Sequence, residues 1–229
     1  MKKIFLIGTI VCCFLTSCGD RLKGEGAIVT QSFEIEDFDT INAVSISNEF
    51  TLCFSDDVAD GQLQITTYEN VLGYIDVEVS GTKLSLSIDS RKIKGDLQLF
   101  ARMKTPIAVD PESDNDSNQG TVDDSDPSNK FDYVFEASGG STFYFENNGV
   151  LPNCCVALSG SSHFLGYNLT SNETLWVDIS GNSMLQITAN GTFSGSCSGG
   201  SSISYKGSAI IDIDTSGNSS IVKSEEVDD

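Results

Sequence analysis

One four-residue element, Ser-Gly-x-Ser, recurs through the second half of the chain and limits the folds that are open to it. The element begins at residues 138, 159, 180, 198 and 216, so successive copies lie 21, 21, 18 and 18 residues apart. A period near 20 residues is typical of a solenoid, in which each repeat packs on its neighbours. Glycine at the second place of every copy predicts a turn that requires a positive φ or leaves no room for a Cβ atom.

Strands are predicted on both sides of each turn. The positions one, three and five residues before the leading serine are mainly apolar, as in Leu158, Val156 and Cys154, and the positions between are polar or small. This alternation is typical of a strand with one buried face. The residue five places after each leading serine is also apolar and would form a column through the stack: Phe143, Phe164, Leu185, Ile203 and Ile221.

These patterns predict an all-β protein built as a parallel β-helix with about 18–21 residues per coil. A coil of that length holds about three short strands, and successive coils would lie about 4.8 Å apart. Asn-Gly pairs such as Asn190-Gly191 keep an antiparallel meander of hairpins open as the alternative fold. In the β-helix the closing serines would stack, and their hydroxyl groups could hydrogen-bond each other: Ser141, Ser162, Ser183, Ser201 and Ser219.

Residues 33–105 also alternate between apolar and polar side chains, but without the Ser-Gly turns. Leu84, Leu86 and Ile88, for example, alternate with Ser85 and Ser87. No long helical pattern follows the first 17 residues. We therefore expect an N-terminal β region at 33–105 that is continuous with the β-helix repeats of 131–224 or packed on them.

An acidic segment at 106–130 separates these two regions, and a short acidic tail follows at 225–229. The segment is rich in Asp, Ser, Asn and Pro and cannot bury enough apolar surface to order itself. Asp114, Asp116 and Asn118 resemble the start of a calcium loop, but Gln119 and Ser125 stand where such a loop needs Gly and Glu. The sequence favours a loop without a ligand and leaves calcium binding open.

The N-terminus predicts export and lipid attachment. A basic start at Lys2 and Lys3 precedes a run of mostly apolar residues, 4–15, which is too short to span a bilayer. Leu15-Thr16-Ser17-Cys18 resembles the bacterial lipoprotein signal, so we expect a signal peptide at 1–17, a lipid on Cys18 and a tether at 18–32. The expected location is the cell envelope at the outer membrane, facing either the surface or the periplasm. An ordinary secretory peptide is the alternative.

Four further cysteines require an explanation: Cys53, Cys154, Cys155 and Cys197. In the β-helix register Cys154 and Cys197 point inward two coils apart, roughly 9–10 Å, which exceeds the reach of a disulfide. The adjacent Cys154 and Cys155 point to opposite sides of their strand. We expect free buried thiols in the repeats, and no metal or other cofactor, because the chain lacks CxxC and zinc-ligand spacing.

Charge and residue usage exclude several function classes. The net charge is −20 and the pI is about 4.1, which argues against nucleic-acid binding.

Exposed aromatic or apolar side chains on the outer side of the repeats are candidates for contact with a glycan or protein ligand, chiefly Trp176, Tyr144 and His163, with Leu165 and Met184. The alternative is that a loop covers Trp176 and that His163, the one histidine, is an ordinary surface residue.

Two further functions compete with a binding role. Asp178 and Asp214 would share an outward column about 9–10 Å apart, which is near the separation of carboxylates in inverting glycosidases, with Ser196 between them. A polysaccharide-active enzyme is thus an alternative, although we expect no catalysis. A structural or assembly role in the envelope is the third possibility.

Taken in order, these motifs resemble one known family. The lipoprotein Cys18, the stretch from Phe38 to Leu52, the strand pair Val77-Glu-Val79 and Leu84-Ser-Leu86, and the serial Ser-Gly-x-Ser turns are similar to the family named putative auto-transporter adhesin, head GIN domain. The resemblance covers most of 33–224, and the acidic segment at 106–130 departs from it. It implies a β-helical domain with an adhesin-like role in bacterial envelope lipoproteins, and it brings no catalytic residues.

Overall fold

The computed structural model describes residues 22–36, 41–88, 94–104 and 131–224. No α-helix lies in these ranges, so the all-β prediction is confirmed for them. A 3-10 turn occupies Leu72–Tyr74. The described strands are β1 (Ile28–Glu34), β2 (Ala43–Ile46), β3 (Thr51–Phe54), β4 (Gln62–Tyr68), β5 (Ile75–Ser80), β6 (Lys83–Ile88), β7 (Phe100–Met103), β8 (Tyr133–Ala137), β9 (Thr142–Phe145), β10 (Gly149–Leu158), β11 (His163–Ile179), β12 (Met184–Ala189), β13 (Thr192–Cys197), β14 (Ser202–Lys206), β15 (Ile210–Thr215) and β16 (Ser220–Lys223).

The repeats form a parallel β-helix with two principal faces. The first face stacks β8, β10, the end of β11, β13 and β15, whereas the second face stacks β9, the start of β11, β12, β14 and β16. All of these pairs are parallel, so the antiparallel meander is wrong for the repeats. On the second face Phe143 lies opposite Phe164 and Phe164 opposite Leu185, and the column continues to Ile203 and Ile221. The predicted apolar column is therefore confirmed.

The N-terminal strands continue the same stack, in an order that differs from their order in the chain. β2 and β3 pair in parallel with β8 and β9, and their other edges pair in parallel with β6 and β7. The coil formed by β2 and β3 thus lies between two coils that come later in the sequence. Antiparallel strands complete this end, because β5 pairs with β6, β4 with β7, and β1 with β4.

A cluster of phenylalanine rings joins the N-terminal region to the repeats. Phe54 on β3 stacks on Phe145 with ring centroids 4.6 Å apart, and it meets the edge of Phe135 at 6.0 Å. Phe135 in turn lies 5.5 Å from both Phe143 and Phe164. All five rings are at most 1% exposed. One continuous core therefore runs through both regions.

The turn glycines meet both requirements that the sequence predicts. The second residue of every Ser-Gly-x-Ser element has a positive φ between 64° and 76°. A Cβ atom on Gly160 would lie 2.9 Å from the backbone nitrogen of Gly139, and one on Gly181 would lie 2.7 Å from the nitrogen of Gly160. Successive turns thus stack backbone on backbone, which leaves space for glycine alone.

The closing serines stack as predicted, but they do not hydrogen-bond each other. The Ser183 Oγ donates to the backbone oxygen of Ser180 at 2.7 Å and accepts a hydrogen bond from the backbone N–H of Ser162, in the preceding coil, at 3.1 Å. Ser201 accepts in the same way from the N–H of Ser183 at 3.1 Å. These hydroxyl groups bond to backbone groups that the turn leaves without partners. The predicted hydrogen bonds from one serine hydroxyl to the next are therefore absent from the described turns.

Removal of one of these buried hydroxyl groups tests their contribution. Ser183→Ala should lower the free energy of unfolding by about 2 kcal/mol, because the buried N–H of Ser162 loses its acceptor. Urea denaturation followed by circular dichroism measures this change. Ser219→Ala is the matched control at the more exposed end of the stack and should cost less than about 1 kcal/mol. Equal losses in both variants would contradict the assigned role.

The four cysteines outside the N-terminal segment are free and buried, as predicted. Cys154 belongs to the main core, whereas Cys155 packs in a small cluster on the outer side of the first face. Burial raises the pKa of Cys155 to about 12 and, as the largest of several causes, that of Cys53 to about 11. It also raises the pKa of Cys154 and Cys197. These thiols are therefore protonated at neutral pH and act as small apolar side chains.

Thiol titration tests this arrangement. At pH 8 the native protein should react slowly with a thiol reagent at these four cysteines, and all four should react after denaturation in the absence of reductant. An unfolded thiol ionises near pH 9.0, below the folded values of Cys53 and Cys155. The contribution of these two thiols to stability should therefore be constant below about pH 9 and should be lost as the pH rises toward 11. A denatured count below four, after Cys12, Cys13 and Cys18 are replaced by Ser, would reveal a disulfide.

Candidate functional site

Aromatic and apolar side chains meet on the outer side of the second face. Tyr144 on β9 lies opposite Leu165 on β11, and His163 on β11 lies opposite Met184 on β12. His163 and Leu165 are two residues apart on one strand and therefore point to the same side. Tyr144 is 43% exposed, and the other three side chains are partly buried. We name these four residues the Tyr144 patch; it contains every predicted ligand residue except Trp176.

A charged pair borders the Tyr144 patch. Across the strands, Tyr144 lies opposite Cys53, which lies opposite Arg102 on β7. The Arg102 Nη2 donates to both carboxylate oxygens of Glu146, at 2.8 and 3.0 Å. A hydrogen bond from Ser55 is the largest cause that lowers the pKa of Glu146, and Arg102 contributes to the same shift. The patch is thus flanked by a fixed donor and acceptor that stay charged at neutral pH.

Trp176 lies on the first face, away from the Tyr144 patch. Its register neighbours are Cys155 on β10 and Ser194 on β13. The indole is partly buried and packs on Phe131, with the ring centroids 6.5 Å apart. Together they cover a second, small apolar cluster that includes Cys155 and Val134. The predicted ligand residues are therefore not one site: Tyr144 and His163 come together, and Trp176 has a packing partner elsewhere.

Carboxylates line a shallow pocket of about 280 Å³ on the outer side of the first face. Glu136 and Asp178 both line it; Glu136 pairs with the Lys83 ammonium at 2.5 Å, and Asp178 accepts a hydrogen bond from the Ser196 hydroxyl at 2.8 Å. Asp214 follows Ser196 in the same outward column, as predicted, but does not line this pocket. The two predicted carboxylates thus share a column with a serine between them, and only one of them faces the pocket.

Several predicted features lie outside the described residues. These are the signal peptide at 1–17, Cys18 with its lipid, and the acidic segment at 106–130 with Asp114 and Asp116. Across the described ranges, no three His, Cys, Asp or Glu side chains converge to hold a metal ion. The same ranges contain no helix that is long and apolar enough to cross a membrane.

The chain is similar to several solved structures. A protein described as a putative adhesin from Parabacteroides merdae shares 13% identity over 90% of this chain and 100% of its own, with a TM-score of 0.37. A putative adhesin from Bacteroides fragilis shares 17% identity over 88% and 99%, with a TM-score of 0.46. A putative lipid binding protein from Parabacteroides distasonis shares 15% identity over 90% and 100%, with a TM-score of 0.47.

A family model matches the larger part of the repeats described above. No curated protein matches the chain. The match to the family model extends from residue 132 to residue 209, that is, from the residue before β8 to the residue before β15. Over these residues the predicted resemblance is confirmed: the chain matches the family described as putative auto-transporter adhesin, head GIN domain.

Proposed function

We propose that this chain is a non-catalytic binding domain that is held at the cell envelope through a lipid on Cys18 and recognises a glycan through the Tyr144 patch. The exposed ring of Tyr144, on a regular sheet surface, is the observation that carries the proposal. Aromatic rings stack on the apolar faces of sugar rings, and a phenol can also hydrogen-bond. The Arg102–Glu146 pair beside the ring supplies charged partners for sugar hydroxyl groups.

The architecture supports a binding role. Solenoids present extended, regular surfaces, and the second face of this one is continuous from β7 to β16. The adhesin designation of the matched family agrees with a role at the envelope. A lipid anchor would suit such a domain, because acyl chains contribute roughly 0.8 kcal/mol per buried CH₂ group and two or more chains anchor stably.

Glycan binding by the full-length protein and by a Tyr144→Ala variant tests the proposal. A glycan found on an array should bind the variant about tenfold more weakly, which corresponds to loss of one stacking contact and its hydrogen bond. Tyr74→Ala is the matched control. Tyr74 is 52% exposed, but it lies in the 3-10 turn before β5, at the end of the stack that antiparallel strands cover. Its affinity should stay within about twofold. Equal binding by all three proteins, or a ligand that is a protein and not a glycan, would contradict glycan recognition by this patch.

A polysaccharide-active enzyme is the second candidate function, favoured by the pocket that contains Glu136 and Asp178. If the pocket is catalytic, hydrolysis or elimination on a polysaccharide panel should be detectable and should be lost in Asp178→Asn. Lack of turnover on the panel would leave binding as the function. The Ser196 hydrogen bond to Asp178 and the Lys83 pair with Glu136 favour a structural role for both carboxylates.

An adhesin must face the outside of the cell, whereas an envelope assembly protein can face the periplasm, so the orientation of the domain distinguishes the two roles. Protease shaving of intact cells, with a periplasmic marker and antibody labelling as controls, should degrade residues 33–224 if the domain lies outside. Protection in both assays would place it inside and would favour an assembly role in the envelope.

A further inference from the structure

The two ends of the stack differ in how they are finished. At one end β6 and β7 are covered by antiparallel strands, as described above. At the other end β15 pairs with β13 alone, and β16 pairs with β14 alone, within the described residues. One edge of each of these last strands therefore presents backbone N–H and C=O groups with no strand beside it, which is a template for another strand.

The core is also partly exposed at this end. Ile211 on β15 is 37% exposed, and Ile213 and Ile221, which are inward positions of β15 and β16, are partly buried. Ile211 continues the inward column of Phe193, which is fully buried one coil earlier. Among the described residues, this end thus combines an unpaired strand edge with a partly exposed apolar core.

The outward side chains of β15 give this edge a defined charge. Asp212 and Asp214 are exposed, and neither side chain forms a hydrogen bond or an ion pair with the part of the chain that is described. They flank Ile213, which points inward and is partly buried. Read along the strand, the edge alternates acidic residues on one side with aliphatic residues on the other.

This charge pattern disfavours a second copy of the chain as the occupant. If β15 paired antiparallel with its own copy about Ile213, Asp212 of each copy would lie opposite Asp214 of the other, and like charges directly opposite are destabilising. The edge strand at the capped end of the first face is β5, on which Asp76 and Glu78 are exposed, so head-to-tail pairing would also bring acid against acid. The net charge of −20 acts in the same direction.

We propose that β15 accepts an extended strand from a partner protein in which Lys or Arg alternates with aliphatic residues. Main-chain hydrogen bonds would hold the added strand, as in other cases of strand addition. Successive side chains point to opposite sides, so the basic residues would reach Asp212 and Asp214 while the aliphatic residues cover Ile211 and Ile213. The added strand would pair with the free edge of β15 in the way that β13 pairs with the end of β11.

Peptide binding tests the charge pattern. The probe is a seven-residue peptide that alternates valine and lysine, and its counterpart alternates valine and glutamate. Fluorescence anisotropy with the full-length protein should detect the lysine peptide and not the glutamate peptide. The double variant Asp212→Lys/Asp214→Lys should bind the lysine peptide at least about tenfold more weakly and should gain binding of the glutamate peptide. Asp76→Lys/Glu78→Lys, the matched control at the capped end, should bind like the native protein.

A second measurement separates strand addition from charge attraction. A lysine peptide that is N-methylated at every residue keeps its charge but has no N–H group on either edge, so its binding should be lost. Undiminished binding of this peptide, equal binding of both unmodified peptides, or failure of the lysine peptide to bind would overturn the proposal. A dimer in light scattering that Ile210→Asp abolishes would overturn it in favour of a second copy.

Discussion

Gly181→Ala is expected to lower the free energy of unfolding by about 3 kcal/mol, although the residue lies in an exposed turn. Gly181 has a φ of +70°, which costs an L residue about 1–2 kcal/mol. The added methyl group would also lie 2.7 Å from the backbone nitrogen of Gly160, so one coil must move away from the next. Surface substitutions ordinarily change stability by about 0.5 kcal/mol or less, so the effect is diagnostic of the stacked turns.

A substitution at a second glycine distinguishes the cost of the positive φ from the cost of the backbone contact. Gly81, in the turn between β5 and β6, has a φ of +59° and no atom within 4 Å of the position of its Cβ. Gly81→Ala should therefore cost only the conformational strain, about 1 kcal/mol. Urea denaturation of both variants measures the difference. A loss in Gly181→Ala no larger than that in Gly81→Ala would show that the turns are not in backbone contact.

Phe135→Ala should destabilise the protein by about 4 kcal/mol, because it leaves a cavity at the centre of the phenylalanine cluster. Phe135 lies within 6.0 Å of the rings of Phe54, Phe143, Phe145 and Phe164. These rings come from β3, β8, β9 and β11, and so the loss should reach the N-terminal region and the repeats together.

Two probes can follow that common loss. Fluorescence of the one tryptophan, Trp176, reports on the repeats, and amide hydrogen exchange in β3 reports on the N-terminal region. Both should shift by the same free energy in Phe135→Ala. Phe100→Ala removes a ring that is 37% exposed and should cost about 1 kcal/mol or less. Destabilisation of the repeats with native protection of β3 would mean that the two regions fold separately.

The repeat turns and the outward residues could be predicted because their determinants are local. The Ser-Gly-x-Ser spacing defines the coil, and alternation around it places Tyr144, His163 and Leu165 outside. Hydrogen bonding by the closing serines was mispredicted, because a hydroxyl beside unsatisfied backbone groups bonds to them before it bonds to another hydroxyl.

The polar border of the Tyr144 patch could not be predicted, because it depends on the order of coils and not on any one segment. Arg102 and Glu146 are 44 residues apart and meet only because β3 lies between β7 and β9. Each of them, taken alone in the sequence, is an ordinary surface charge. Alternation along β9 would place Glu146 on the same side as Tyr144, and that is the one signal that could have found it.

The place of the β2–β3 coil inside the stack governs how the protein can fold. A solenoid built in chain order can grow one repeat at a time from its N-terminus, but here both edges of β2 and β3 wait for strands that are made later. Their last partners, β8 and β9, begin about 90 residues downstream. The chain must therefore lose the entropy of closing this loop before the strands can form stabilising contacts. A nascent chain that ends before residue 131 has Phe54 without its ring partners Phe135, Phe143 and Phe145. The first half of the chain therefore has no stable fold of its own while it is being synthesised. It stays unfolded until β8 and β9 have been made.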